Sequence, residues 1–321
     1  MERDARRVSE LRAGGTDVQD RFRRQLLKGP FRDLAPTAER TAIASGPTGA
    51  RIGALVRLQT IANDPRLIRS YPAFAAAAGD LATPQVRAVA TCGGALLQRS
   101  RCWYYRQPAF DCYRKGGDAC PARGGDHRYG VVIDLGPCIA AHPATMGVAL
   151  AAYDGVVETE SGRMLTTNEL YGDGRDPSRD HQLDDDEVLA AVILPPPSRD
   201  ERGAYKRAIS RALAEWPLVE VAVRLQVEDD RIVRAAVAAG AVANIPIRVA
   251  AVENALLGRR TADAPAASEA THVDGRVIPD MAYKLDLLKV LIGDVITAAV
   301  SADRTAAAPT TFAPALAWVV D

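Results

Sequence analysis

The sequence predicts an α+β protein built as two units, residues 1–197 and 198–321, and three patterns predict it. Pro195-Pro196-Pro197-Ser198 reads as a linker. Beyond it, Val219 to Val227 alternates almost strictly, the mark of a half-buried strand. Asp229-Asp230 turns it into a second strand, Ile232 to Val242, so a hairpin followed by helices is expected. Ahead of the linker, two runs carry adjacent glycines, Ala13-Gly14-Gly15-Thr16-Asp17 and Ala90-Thr91-Cys92-Gly93-Gly94-Ala95, separated by a strand and a long helical stretch.

Taken in order, Ala50 to Val56 alternates as a short strand. Leu58, Ile61, Leu67 and Ile68 then keep helical spacing, broken into pieces by Pro65 and Pro72. After a cysteine-bearing stretch, Val131-Val132-Ile133 and Gly147 to Ala152 are apolar, and Ala151 to Glu158 reads as strands joined by a turn. Asp184 to Leu194 reads as an acidic turn and a strand. In the second unit Arg248 to Leu257 has helical periodicity closed by Gly258, a residue suited to a left-handed C-cap, and Met281 to Ala302 is a longer amphipathic helix. The alanine-rich tail after Ala306 reads as a loose terminus or a partner contact.

Lysine plus arginine and aspartate plus glutamate number 40 each, so the net charge is zero and nothing favours nucleic acid or an anionic membrane surface. No apolar run approaches a membrane span, so none is expected. Met1 to Arg7 is charged with no apolar stretch behind it, which argues against a secretory signal and for the cytoplasm, or the periplasm if a signal-bearing partner carries the folded chain across.

Adjacent glycines admit positive φ and carry no Cβ, so backbone N–H groups can converge on phosphate oxygens. Gly-Gly is also common in plain turns, and it is the pair of loops that points to an anion cradle. Neither loop is a G-x-G-x-x-G opening a βαβ unit, and no P-loop is present, so a Rossmann site is not indicated. Cys102, Cys112, Cys120 and Cys138 follow directly, at intervals of nine, seven and seventeen residues. That spacing lacks the C-x-x-C knuckles of structural zinc sites and the tight ferredoxin run, and it leaves an iron–sulfur cluster, zinc, and unliganded or paired thiols all open. With 48% hydrophobic composition over 321 residues, the chain does not need a disulfide framework for want of a core. Cys92, inside the glycine run, reads as a small packing residue.

The stretch from Thr83 to Arg106 resembles the flavoprotein (medium) subunit of the xanthine oxidase family of molybdenum hydroxylases, and Ala13-Gly14-Gly15-Thr16-Asp17 is similar to that family's first flavin loop. The contexts Arg101-Cys102-Trp103-Tyr104, Asp111-Cys112-Tyr113, Ala119-Cys120-Pro121 and Pro137-Cys138-Ile139-Ala140 resemble the subset with an extra [4Fe–4S] cluster, the bacterial aldehyde oxidoreductases and, more distantly, 4-hydroxybenzoyl-CoA reductase.

The resemblance implies a two-lobed FAD-binding domain over residues 1–197, its first strand and helix shortened or missing, with the cluster loop at about 99–138. A smaller α+β domain follows over 198–321. It implies FAD held by Ala13, Gly14, Gly15, Thr16, Asp17, Thr91, Gly93, Gly94, Thr145 and Lys206, and a [4Fe–4S] cluster on Cys102, Cys112, Cys120 and Cys138, shielded by Trp103, Tyr104 and Tyr105. Ala95 replaces the family's usual asparagine or serine, and Thr145 stands where relatives commonly have aspartate. Lys206 and Arg211 match basic positions near the flavin edge, or are solvated charges at a domain junction. His142, before Pro143, could bond a flavin or cluster group but reads rather as a surface or capping residue, and His127, His181 and His272 read as turn residues.

The activity implied is electron transfer from a small [2Fe–2S] partner, itself fed by a large molybdopterin-binding partner, through FAD to an external acceptor. No catalytic acid, base or nucleophile is expected in this chain. The alternatives are a flavin-free assembly subunit and a binding module stabilised by zinc.

Overall fold

The computed structural model describes residues 10–210 and 215–301. Arg211 and the tail after Ala306 lie outside them. The chain enters as β1 (Glu10–Arg12), passes through the first glycine loop into α1 (Thr16–Arg23), and returns as β2 (Phe31–Asp33), parallel to β1 with Glu10 opposite Phe31. A short helix, α2 (Ala38–Thr41), leads to the hairpin β3 (Ile43–Gly46) and β4 (Gly49–Gly53).

The periodic stretch that follows divides where its prolines stand. It forms α3 (Leu58–Asn63), α4 (Pro65–Ser70) and α5 (Pro72–Asp80), with proline opening each of the last two, where its missing N–H costs nothing. Asp64 caps α4 by accepting from the N–H groups of Arg66 and Leu67. Two more single turns, α6 (Pro84–Arg87) and α7 (Cys92–Leu96), carry the chain through the second glycine loop, and α8 (Trp103–Arg106) begins the cysteine segment.

That segment ends in β5 (Ile133–Asp134), and α9 (Thr145–Ala152), β6 (Val156–Thr159), β7 (Met164–Thr166), α10 (Thr167–Tyr171) and β8 (Leu189–Leu194) complete the first unit. Its main sheet is antiparallel in the order β3-β4-β8-β6-β7. Of the strands and turn expected over Ala151 to Glu158, the turn at Asp154, φ 51°, and the strand after it are present, but Ala151 and Ala152 end a helix rather than a strand. Every residue of α9 is buried, so no polar face marks the helical period in the sequence.

The second unit contains β9 (Glu201–Ala208) and the expected hairpin, β10 (Val219–Glu228) with β11 (Arg231–Gly240). These join β12 (Ile247–Arg248) in an antiparallel sheet ordered β12-β11-β10-β9. After α11 (Ala250–Leu256), β13 (Arg276–Val277) pairs back onto β5, and α12 (Tyr283–Ser301) packs on β9 and β10.

The cores do not stop at the linker. Tyr205, Ala222 and Ala238 belong to the core of the first unit, and Val132 and Ile133 to that of the second. The N–H groups of Val132 and Ile133 both donate to the Val242 carbonyl. On α12, buried Lys284 donates to the carbonyls of Gly130 (2.7 Å) and Ala241 (3.2 Å), and burial pushes its ammonium down to about 7. The exit of the cysteine segment is thereby fastened to the second unit. Among the described residues no helix is long and apolar enough to cross a membrane.

Candidate functional site

The two glycine loops meet around one cavity of about 280 Å³, lined by Ala13, Gly14, Gly15, Thr16 and Asp17 from the first and by Thr91, Gly93 and Gly94 from the second. The glycines divide the work. A Cβ on Gly14 would stand 2.1 Å from the Val89 carbonyl oxygen, and one on Gly93 would stand 2.9 Å from the Ala54 Cβ, so these two let the loops pack. Gly15 has φ +73°, which disfavours any side chain, and Gly94 is exposed towards the cavity, its nearest neighbour the Thr91 hydroxyl at 3.0 Å. Thr91 caps α7 by accepting from the Gly94 N–H.

Asp17 lines this cavity, but its carboxylate is occupied by arginines. It meets Arg106 at 2.7 Å, Arg21 at 3.1 Å and Arg101 at 3.3 Å, and accepts from the Arg99 N–H. Burial works against its charge, yet Arg106, Arg101 and Arg21 outweigh it and hold the carboxyl below the usual range. Its role is to tie the first loop to the head of the cysteine segment. Gln98, which sequence reasoning missed, does the same for the second loop: its amide donates to the carbonyls of Ala95 and Pro143 at 3.1 and 2.7 Å. Only its place between the second loop and Cys102 could have signalled it.

Two expected cofactor contacts are not brought to the cavity. Thr145 opens α9 and is buried, its hydroxyl donating to Glu220 at 2.8 Å, while Tyr205 donates to the same oxygen at 2.6 Å. Lys206 follows Tyr205 on β9, and the two-residue period of a strand turns it to solvent. His142 is not a surface residue. It is buried, with its ring edge-on to Tyr171 at 4.2 Å and its Nδ1 accepting from the Ala144 N–H at 3.3 Å. His181, read as a turn residue, lines the cavity between the glycine loops.

Burial pushes the His142 imidazole down to about 3, from an ordinary value near 6.5. Its folded value lies below its unfolded one, so the stability it secures is intact above pH 6.5 and is lost as pH falls towards 3. At pH 5 the loss is about 2 kcal/mol. Denaturant midpoints at pH 7.5 and pH 5 are expected to differ by this amount more in the natural protein than in His142→Gln, and an equal difference in both would exclude His142 as the source.

All four cysteines of the segment line a second, smaller cavity, together with Tyr104, Tyr105 and Arg114. Three stand directly before a helical turn: Cys102 before α8, Cys112 before Tyr113–Lys115 and Cys120 before Pro121–Arg123. None of these three thiols makes a side-chain cap hydrogen bond, but nearby backbone N–H groups favour the charged form at three sulfurs: those of Tyr105 and Tyr104 at Cys102, of Ile139 and Ala122 at Cys120, and of Ala140 at Cys138. Cys120 also donates to Cys138, and with Arg114 it holds the Cys138 thiol below its ordinary range despite burial. Cys92 lies apart in the core of the first unit, where burial pushes its thiol up to about 12.

Trp103 departs from the shielding role expected of it. It is half exposed and packs on Tyr129, and both line a third cavity, of about 350 Å³, with Arg101, His142, Pro143 and Trp216. Among the described residues, no three His, Cys, Asp or Glu side chains are disposed to hold one metal ion.

A two-unit α+β chain that brings two glycine loops to one cavity presents bare backbone of the kind that can cradle an anion. The FAD binding domain in molybdopterin dehydrogenase matches residues 4–197, and the CO dehydrogenase flavoprotein C-terminal domain matches residues 204–299. The chain is 33% identical over 258 residues to the aldehyde oxidoreductase FAD-binding subunit PaoB of Escherichia coli (strain K12), covering 78% of each chain. It is 26% identical over 310 residues to the putative xanthine dehydrogenase FAD-binding subunit XdhB of the same organism, covering 92% of this chain and 89% of that one. Carbon monoxide dehydrogenase from Hydrogenophaga pseudoflava shares the fold, with a TM-score of 0.67 at 20% identity over 91% of this chain and 90% of that one. The chain belongs to the FAD-binding subunits of the xanthine oxidase family of molybdenum hydroxylases, and it is an oxidoreductase subunit.

Proposed function

We propose that this subunit passes electrons from a partner's [2Fe–2S] clusters to an external acceptor, with FAD between its glycine loops and a [4Fe–4S] cluster on Cys102, Cys112, Cys120 and Cys138. The observation that carries this reading is the convergence of all four thiols on one cavity, three residues along the chain from the cavity between the loops. Arg99 lines the first and Cys102 the second, and three residues span at most about 11 Å.

The FAD fit rests on the bare backbone of Gly15 and Gly94 at a cavity whose wall a Cβ would enter. Gly14, Gly15, Thr16, Gly93 and Gly94 would hold the pyrophosphate, Asp17 would position the first loop, and Gln98 the second. When bound, FAD supplies a centre that takes two electrons and releases them singly or together. The thiol cavity, of about 10 Å³, would have to open to admit either group, but its four thiols suit a cluster better than zinc. One zinc ion needs its donors on a single tetrahedron at about 2.3 Å, whereas a four-iron cluster gives each thiolate its own iron. Backbone N–H groups near Cys102, Cys120 and Cys138 would stabilise thiolate charge, and Tyr104 and Tyr105 would limit water.

By the same reading, a large molybdopterin-binding partner oxidises the organic substrate, and this chain binds none. The purified chain is expected to show flavin absorbance on a broad iron–sulfur shoulder. With aldehydes or purines as substrates it is expected to reduce an artificial acceptor only in the co-expressed complex. Turnover by the isolated chain at the rate of the complex would overturn the electron-transfer reading. Absence of the flavin bands would leave an assembly subunit, and absence of both features a zinc-stabilised module.

A further inference from the structure

Arg114 lines the four-thiol cavity and reaches, through Asp180, towards the cavity between the glycine loops. Its side chain is 4% exposed. Nε donates to Cys138 Sγ at 3.3 Å, and Nη1 donates to an oxygen of Asp180 and to the Arg179 carbonyl, the latter at 3.0 Å. Asp180, 2% exposed, has its other oxygen 3.1 Å from Nε of Arg99, which lines the cavity between the glycine loops. One charged chain, Cys138 to Arg114 to Asp180 to Arg99, thus runs from one cavity to the other. A guanidinium buried this deeply is costly unless its charge is used. Asp180 lies between two guanidinium groups, so the carboxylate does not answer Arg114 alone, and part of that charge is left to act on sulfur.

We propose that Arg114 is a positioning and potential-setting residue, which fixes the Cys138 thiolate and makes the cluster easier to reduce. The inference rests on the cluster reading given under Proposed function. Two physical causes act in the same direction. An electron added to the cluster is stabilised by a nearby fixed positive charge, and an N–H directed at a ligand sulfur withdraws electron density from it. Burial keeps water from screening either effect. Asp180 fixes the guanidinium from the far side, so the geometry at sulfur does not depend on the cluster being present.

The test is a redox titration of the full chain, or of its complex where the partners co-purify, followed by electron paramagnetic resonance of the reduced cluster. Iron, sulfide and flavin are assayed first. Arg114→Gln removes the charge and the Nε donor. It is expected to keep its flavin and to raise the oxidised-to-reduced ratio at fixed potential about tenfold, equal to a midpoint lowered by about 59 mV for one electron. Arg114→Lys keeps the charge and loses the directed N–H, and is expected to shift the midpoint the same way by less. An unchanged or raised midpoint in an iron-replete Arg114→Gln overturns the proposal. If that variant holds no iron, Arg114→Lys decides alone: a lowered midpoint supports the proposal, and an unchanged or raised one refutes it. A natural protein without iron and sulfide would overturn the cluster reading itself, an outcome distinct from any of these.

Discussion

Cys138→Ser is expected to strip the chain of nearly all its iron and acid-labile sulfide, while Cys92→Ser leaves both unchanged. Cys138 is the thiol held closest to its charged form: Cys120, Arg114, whose Nε donates to it at 3.3 Å, and the Ala140 N–H together outweigh its burial. Serine is a poorer ligand for iron and withdraws the acceptor that orders Arg114. Cys92 is wholly buried among apolar side chains, and burial keeps its thiol protonated. Iron and sulfide per chain, measured on the two variants beside Cys102→Ser, Cys112→Ser and Cys120→Ser, check the assignment. Full cluster content in Cys138→Ser, or loss of it in Cys92→Ser, would contradict it.

The second large effect is expected at the glycine loops, and it separates binding from packing. Gly94→Val projects a branched side chain into the cavity, with only the Thr91 hydroxyl close by in the protein. An overlap worth about 1–3 kcal/mol against a bound phosphate weakens retention by roughly tenfold to a hundredfold. The fold itself is expected to survive, with an unchanged circular dichroism spectrum. Gly14→Ala should behave differently, because its Cβ would overlap the Val89 carbonyl oxygen, so it costs thermal stability as well as flavin. Flavin stoichiometry together with Tm on both variants makes the comparison. Normal flavin content in Gly94→Val would remove the pyrophosphate from this cavity.

The elements most legible in the sequence were those whose faces differ. Val219 to Val227 alternates in residue type and its hairpin falls where it was expected, but the strand is buried on both faces rather than half-buried, Glu220 being paired with Tyr205 and Arg224 with Glu201; Pro65 and Pro72 open helices, as their geometry requires. Ala151 and Ala152 were taken into a strand because total burial of the helix from Thr145 to Ala152 erases its periodicity. At the site, residue types indicated which positions matter more surely than what each does. Four cysteines and four glycines were visible as a set, yet that Gly14 and Gly93 serve packing while Gly94 faces the cavity depends on Val89 and Ala54, which no motif names. Thr145 and Lys206 came from resemblance alone, and here one is taken by Glu220 and the other faces solvent. Gln98, Arg114, Asp180 and His181 carry no local signature, since each is placed by partners from elsewhere in the chain.

The pairing of β5 with β13, and the reach of Lys284 to the Gly130 carbonyl, bear on how the protein is made. A ribosome delivers the four cysteines well before the strand and helix that fasten the end of their segment. During that interval the end of the cysteine segment lacks the strand and the lysine that later fasten it. Once the later half has folded, β5 is pinned from the far side, and its neighbours Val132 and Ile133 are sealed into a core that did not exist when the cysteines emerged. The order of synthesis thus leaves the exit of the cysteine segment untied until β13 and α12 are made, and its closure completes a core that the two halves build together.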